Sequence, residues 1–213
     1  MKRALLVVAG LAAAALGTPA RAGAQIPGMP VWNSPKGGLG LTIAADFGWP
    51  DSSGGDGTTY AGRVVFGMSA LTLSGTVGSR TPEGAGSVTE YGGTAALRLI
   101  GGSLMPVSVN LQGGFGSASQ SSVTTTRGTL ALGFAIDLPT PGVTVEPWIA
   151  PGLRLTHVGS ETDTQFGVAG GLTIGLGMLG IHAAMDYEKL ASGGHTTTLG
   201  IGAHLAFRPA FGL

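Results

Sequence analysis

Three features of the sequence predict an all-β chain, an antiparallel up-and-down transmembrane β-barrel of about ten strands with eight as the alternative. Charge is scarce and glycine abundant, bulky apolar residues recur at every second position, and charged residues keep to the other parity. Of 213 residues 40 are glycine, none is cysteine, 43% are hydrophobic and only 10% are charged, where a soluble domain carries about 25% charge. That apolar content argues against disorder, and the glycines lack the three-residue period of collagen.

The chain opens on an address. Met1-Lys2-Arg3 is basic, residues 4–16 are an unbroken apolar run of 13, and Ala20-Arg21-Ala22 supplies small residues for a leader peptidase. This predicts a secretory signal peptide over residues 1–22, cut after Ala22 with Ala24 the alternative. A run of that length rises only about 20 Å as a helix, short of a bilayer core of about 30 Å. Cleavage removes Lys2, Arg3 and Arg21, leaving 8 basic against 11 acidic residues, a formal charge of −3. A basic nucleic-acid surface is thereby excluded. Without cysteine, disulfides, cysteine-ligated zinc and a cysteine-borne lipid anchor are excluded too. Residues 23–35 read as a short periplasmic N-terminal segment and 36–213 as the barrel.

The first strand is read over 39–49, where Leu39, Leu41, Ile43, Ala45, Phe47 and Trp49 alternate with Gly40, Thr42, Ala44, Asp46 and Gly48. The pattern returns over 60–68, 71–79, 91–99, 107–117, 130–138, 143–155, 166–178, 181–187 and 199–207. Most of these segments match the 9 to 11 residues, roughly, that a tilted transmembrane strand needs.

The charges decide which face meets lipid. Asp46, Arg63, Arg80, Glu90, Arg98, Arg127, Asp137, Glu146, Arg154, Asp186, Glu188 and Arg208 all share parity with Gly, Thr and Ser. A soluble barrel inverts this arrangement, whereas a membrane barrel must keep its outer face uncharged at about 2–4 kcal/mol per midplane Arg or Lys. The lumen candidates are Asp46, Arg63, Arg98, Glu146, Trp148, Arg154, His182, Asp186 and His204. Hairpin centring sets Asp46 diagonal to Arg63 and Arg80 opposite Glu90, cross-strand neutralisation rather than a selectivity ring.

Polar, Gly/Ser-rich connections at 50–58, 81–89, 117–125, 157–164 and 189–195 alternate with tighter ones near Ser69, 101–106, 139–142 and Leu179. Long loops on one side and short periplasmic turns on the other return both termini to the periplasm. Trp49, Tyr60, Tyr91, Phe115, Phe166 and Tyr187 form a girdle at the long-loop end, with Phe66, Phe134 and Phe207 at the opposite rim. Residues 166–185 are 20 long and free of formal charge, long enough for a membrane helix, but six of them are glycine and the bulky ones alternate, which favours strand. Pro147 and Pro151 cannot donate to a ladder, predicting a bulge or break near the start of their strand.

Glu146-Pro147-Trp148-Ile149-Ala150-Pro151-Gly152-Leu153 resembles a signature of small outer-membrane barrels of the OmpA-like, opacity and OmpX type. It has Trp148 where tyrosine is commoner and Pro151 where a small residue is usual. Gly202-Ala203-His204-Leu205-Ala206-Phe207 similarly resembles a barrel-assembly signal. The resemblance implies the outer membrane of a Gram-negative-type bacterium, outer-membrane lipid and lipopolysaccharide as surroundings, and barrel-assembly machinery engaging the last strand.

No catalytic, cofactor or metal site is expected. His157 and His195 lie in or beside long loops, and the spacing from His157 to Ser160 is a weak hydrolase signal. A hairpin centred near Ser192 brings His182 and His204 diagonally close, with Asp186 and Glu188 on the same parity, which reads as lumenal hydrogen bonding rather than a metal site. Trp148 points inward as a plug. Gly40, Thr42, Gly67, Ala96, Gly114, Gly133, Ala169, Gly171, Gly175 and Gly202 leave the middle of the lumen thinly filled. The expectation is a non-enzymatic barrel with a structural or surface-interaction role; a narrow passive channel is the alternative and a barrel-borne hydrolase the third reading.

Overall fold

The computed structural model describes residues 26–30, 35, 37–102, 105–120 and 123–207. It is a closed antiparallel barrel of ten strands: β1 (Gly40–Pro50), β2 (Thr58–Met68), β3 (Leu71–Thr81), β4 (Val88–Gly102), β5 (Met105–Gln120), β6 in two pieces (Val123–Ile136 and Leu138–Thr140), β7 (Val143–Val158), β8 (Glu161–Leu176), β9 (Leu179–Lys189) and β10 (His195–Phe207). Each strand pairs with its sequence neighbours, and β10 returns to β1 through registers from Leu41↔Phe207 to Pro50↔Thr198. Closure leaves no sheet edge, so the backbone groups of the wall are paired along a continuous ladder rather than left to lipid. Ten strands, not eight, complete the circle.

The period of two now has a physical meaning. Leu41, Ile43, Phe47 and Trp49 of β1, Leu130, Leu132, Phe134 and Ile136 of β6, and Leu199, Ile201, Leu205 and Phe207 of β10 all face outward and exposed. An apolar belt of this extent far exceeds the few hundred Å² that a soluble monomer leaves bare, and it makes the protein a transmembrane barrel. Trp49, Tyr60, Tyr91, Phe115 and Phe166 are exposed at the long-loop end. Residues 166–185, the helix alternative, are the end of β8, a tight turn and the start of β9. No helix among the described residues is long and apolar enough to cross a membrane.

Three expectations about the strands change. Residues 117–125 and 157–164 are mostly ladder rather than long loop: β5 runs to Gln120, β6 starts at Val123, and only Gly159 and Ser160 separate β7 from β8. β-branched threonines suit a pleated ladder, and polar side chains pair along these extensions, Ser119 Oγ with Thr124 Oγ1 at 3.0 Å and His157 Nδ1 with Thr162 Oγ1 at 2.8 Å. One side of the barrel therefore stands taller, with 15- and 16-residue strands in β4, β5, β7 and β8 against 11 in β1, β2, β3 and β9.

The second settles an alternative: of the bulge or break expected at Pro147 and Pro151, the ladder shows the break and no bulge. The β6–β7 register holds from Thr125↔Val158 to Ala135↔Trp148 and continues in Leu138↔Val145, but the pairs opposite Ala150 and Pro151 and those opposite Glu146 and Pro147 are missing. On the other side pairing passes unbroken through Pro147↔Leu172 and Pro151↔Val168. The missing N–H of Pro151 thus falls toward β6, where the ladder skips. The bulge lies elsewhere, between Arg98 and Gly102 in the β4–β5 pair, and it leaves Leu99 and Ile100 both facing out. The third change is in the β3–β4 hairpin. It is centred on Gly84, so Arg80 stands opposite Val88 and Glu90 opposite Gly78, a diagonal relation in place of the expected direct pair.

Against the expected periplasmic segment over residues 23–35, the described residues 26–30 and 35 pack inside the barrel. Ile26 and Met29 are each 2% exposed, and Pro30 and Pro35 are fully buried. Ile26 to Met29 form a tight turn, with Met29 N–H donating to Ile26 O at 3.4 Å. Pro27 takes its second position and Gly28, at φ 75°, its third, the composition of a type II turn.

Candidate functional site

The lumen carries every feature that could do more than span lipid. Midway along it, β1, β2, β9 and β10 bring together Asp46, Arg63, His182 and His204. The registers Ala44↔Arg63, Asp46↔Gly202 and His182↔Gly202 put these side chains on adjacent inward positions. Arg63 Nε donates to Asp46 Oδ2 at 2.8 Å, and His182 Nε2 lies 2.7 Å from Asp46 Oδ1. If Nε2 carries the proton that meets the carboxylate, His182 Nδ1 is the acceptor for His204 Nδ1, 3.2 Å away, so both ring nitrogens of His182 are engaged. Their rings stack at 5.4 Å. The glycines opposite are needed for space: a Cβ on Gly202 would lie 2.3 Å from His182 Nε2, and one on Gly180 2.3 Å from His204 Nε2.

Nearer the long-loop end, β6, β7 and β9 supply a second group. Arg154 Nη2 donates to Asp186 Oδ1 at 2.9 Å, and Arg127 pairs with Glu188. Arg154 is 1% exposed, as is Glu90 across the lumen. Glu90 Oε2, Asn110 Oδ1, both Gln112 amide atoms, and Arg154 Nε and Nη1 have no protein partner. The interior is thus charged but sign-balanced, with two ion-pair groups at different heights that share β9.

Of the lumen candidates, Asp46, Glu146, Trp148, Arg154, His182 and Asp186 are buried, and Arg63, Arg98 and His204 are half-buried on inward positions. Trp148 lies over alanines from four strands, Ala131, Ala135, Ala150, Ala169 and Ala184, and against Gly171, where a Cβ would come within 2.7 Å of its ring. It fills space rather than offering a face. Arg208 lies outside the described residues. Arg127 and Glu188 were assigned inward from parity without a partner for either, and the lumenal turn at Ile26 to Pro30 was not foreseen. Its only signal was an apolar Ile-Pro-Gly-Met-Pro run where a polar tail would serve.

At the rim, His195 stacks on Tyr187 at 5.0 Å. Asp51 accepts from Gly54 N–H, Thr196 Oγ1 and Thr197 N–H, tying the β1–β2 loop to the closing strand. Burial pushes its carboxyl pKa up, but those three hydrogen bonds outweigh it, and the group titrates below its ordinary 3.8. No group of three or more His, Cys, Asp or Glu among the described residues is arranged to hold a metal ion.

No protein-family model matches the chain, and no curated protein sequence matches it. Solved structures do. The β domain of the Bordetella autotransporter BrkA aligns at 13% identity over 81% of this chain and 100% of that one, with a TM-score of 0.52. The KdgM porin aligns at 13% identity over 78% and 99%, TM-score 0.47, and Neisserial surface protein A at 14% over 81% and 100%, TM-score 0.39. At such identities the first likeness establishes the β-barrel fold and nothing finer.

Proposed function

We propose that this protein is an integral outer-membrane β-barrel of a Gram-negative-type bacterium whose role is structural or surface-interacting, with no enzymatic activity. The single observation that carries the reading is that the lumen is occupied. Ion pairs line it midway and near the long-loop end, Trp148 fills the space over the alanines, and the Ile26 to Pro30 turn packs near the long-loop rim. A barrel so filled offers its outer belt to lipid and lipopolysaccharide and its tall side, β4 to β8, to a surface partner. The signal peptide, the motif around Pro147 to Gly152 and the Gly202 to Phe207 motif of the last strand support export, an OmpA-like relationship and assembly through that strand. Single-channel recording of the chain from residue 23, refolded in lipid, tests the role: silence supports it, and steady large open steps would overturn it.

A narrow passive channel is the second reading, favoured by the unpartnered polar atoms of Glu90, Asn110, Gln112 and Arg154 that line the interior. Balanced charge would make such a path weakly selective.

A further inference from the structure

The glycines of the wall are not interchangeable. A Cβ on Gly48 would lie 2.1 Å from Gly28 O, 3.1 Å from Gly28 C and 2.9 Å from Met29 Sδ, so its nearest neighbours all belong to the N-terminal turn. On Gly200, which pairs with Gly48 across the closing seam, a Cβ would meet Pro30 Cγ at 2.7 Å, and on Gly78 it would meet Ile26 Cδ1 at 2.8 Å. Lower down, Gly133 leaves room for Pro35 Cγ at 2.8 Å. Four strands thus give up side-chain volume where the segment lies.

The fit includes specific contacts. Ile26 and Met29 cluster with Ala61 of β2, and Thr59 Oγ1 donates to Pro27 O at 3.5 Å. The tip of the turn sits among Pro50, Thr59 and the stem of Arg80. Small wall residues with no segment in place would leave a void, which packed interiors avoid.

We propose that the upper lumen is a receptor site for the chain's own Pro-Gly turn at residues 26–30, and that this segment is what completes the closure of the barrel to solutes begun by the side chains of the wall. The ligand class is an apolar, proline-containing turn. Its tether to β1 is the nine residues between Pro30 and Gly40, which sets an effective concentration of order millimolar and keeps a weak contact occupied. Release of five residues leaves the strand ladder untouched, so the site can empty without the barrel unfolding. The inference rests on the reading that the whole chain does not conduct.

The test compares planar-bilayer recordings of residues 23–213 with residues 37–213, both refolded in detergent and both judged folded by heat-modifiable gel migration. The expected result is silence from the first and steady open steps from the second, with a peptide of residues 24–36 at millimolar concentration cutting open time at least several-fold and a scrambled peptide leaving it unchanged. Should the truncated chain fail to fold, Ile26→Asp with Met29→Asp in the longer chain expels the turn while leaving the strands intact, and the same open steps are expected. Trp148→Ala in the longer chain stays silent. Silence in every folded variant lacking the seated turn overturns the plug and leaves the structural role standing. Equal open steps with and without the segment overturn both.

Discussion

The outer wall and the lumen of this barrel are built under opposite rules. Outside, identity hardly matters beyond being bulky and uncharged: Leu, Ile, Val, Phe and Met alternate freely in the belt. Inside, each residue answers to a particular neighbour. Asp46 answers to Arg63 and His182, Arg154 to Asp186, Gly171 to Trp148 and Gly48 to the turn at Gly28. The difference teaches that lipid is a uniform solvent that asks only for apolar surface, whereas a lumen this narrow must be closed by matched shapes and charges.

Substitutions inside should therefore be punished by lost partners, and outside by added charge. The largest effect is expected at the Arg154–Asp186 pair, where both side chains are nearly fully buried. Arg154→Met strands the Asp186 carboxylate, at a cost of about 3–5 kcal/mol. The double variant Arg154→Met with Asp186→Leu should recover most of that loss in urea unfolding from lipid vesicles. No recovery would mean that the pair is not the reason for the loss.

Next comes the wall itself. Leu172→Arg on β8 puts a charge into lipid and should lower folding yield by the equivalent of about 2–4 kcal/mol. Thr173→Arg, one residue on, faces the lumen opposite Glu146 in the register and should cost far less. The lumen position Ala131 is a poor control, being 4% exposed and wedged against Gly152. Equal yields for the two variants would abolish the distinction between the faces.

The smallest effect belongs to the rim. Asp51 titrates below its ordinary value in the folded barrel, so the stability it adds is complete above about pH 4 and is lost as pH falls through the folded pKa. Asp51→Asn keeps one capping oxygen and loses only the charge, so it should cost less than the ~1 kcal/mol of losing the cap altogether at neutral pH. The gap between it and the unaltered protein should close in strong acid. A gap that persists unchanged at pH 2 would assign the effect to something other than that carboxylate.

The outer wall was legible in the sequence because one rule repeated over ten strands. Parity alone placed Asp46, Arg154 and His182 inside, and the hairpin centre near Ser192 brought His182 to His204. Ladder ends were less legible. Thr124, Thr125 and Thr162 read as polar loop because lipid no longer enforces alternation above the membrane, yet their backbones still pair. The lumenal turn was illegible for a different reason. Ile26, Met29 and Pro30 belong to no repeating pattern, and small inward residues such as Gly48 and Gly200 have the same signature whether they face an empty space or a guest.

That guest is the central claim, and a single cysteine tests it directly, since the natural chain has none. Met29→Cys in the folded barrel should react with a water-soluble maleimide at least about 100-fold more slowly than Glu161→Cys at the exposed β7–β8 turn, because 2% exposure of Met29 leaves a reagent no approach. Adding Gly48→Leu, whose side chain claims the space of Gly28, should bring the two rates close together. Rapid labelling of Met29→Cys in the otherwise unaltered barrel would contradict the account, for it would leave the segment outside the lumen and the glycine cradle without an occupant.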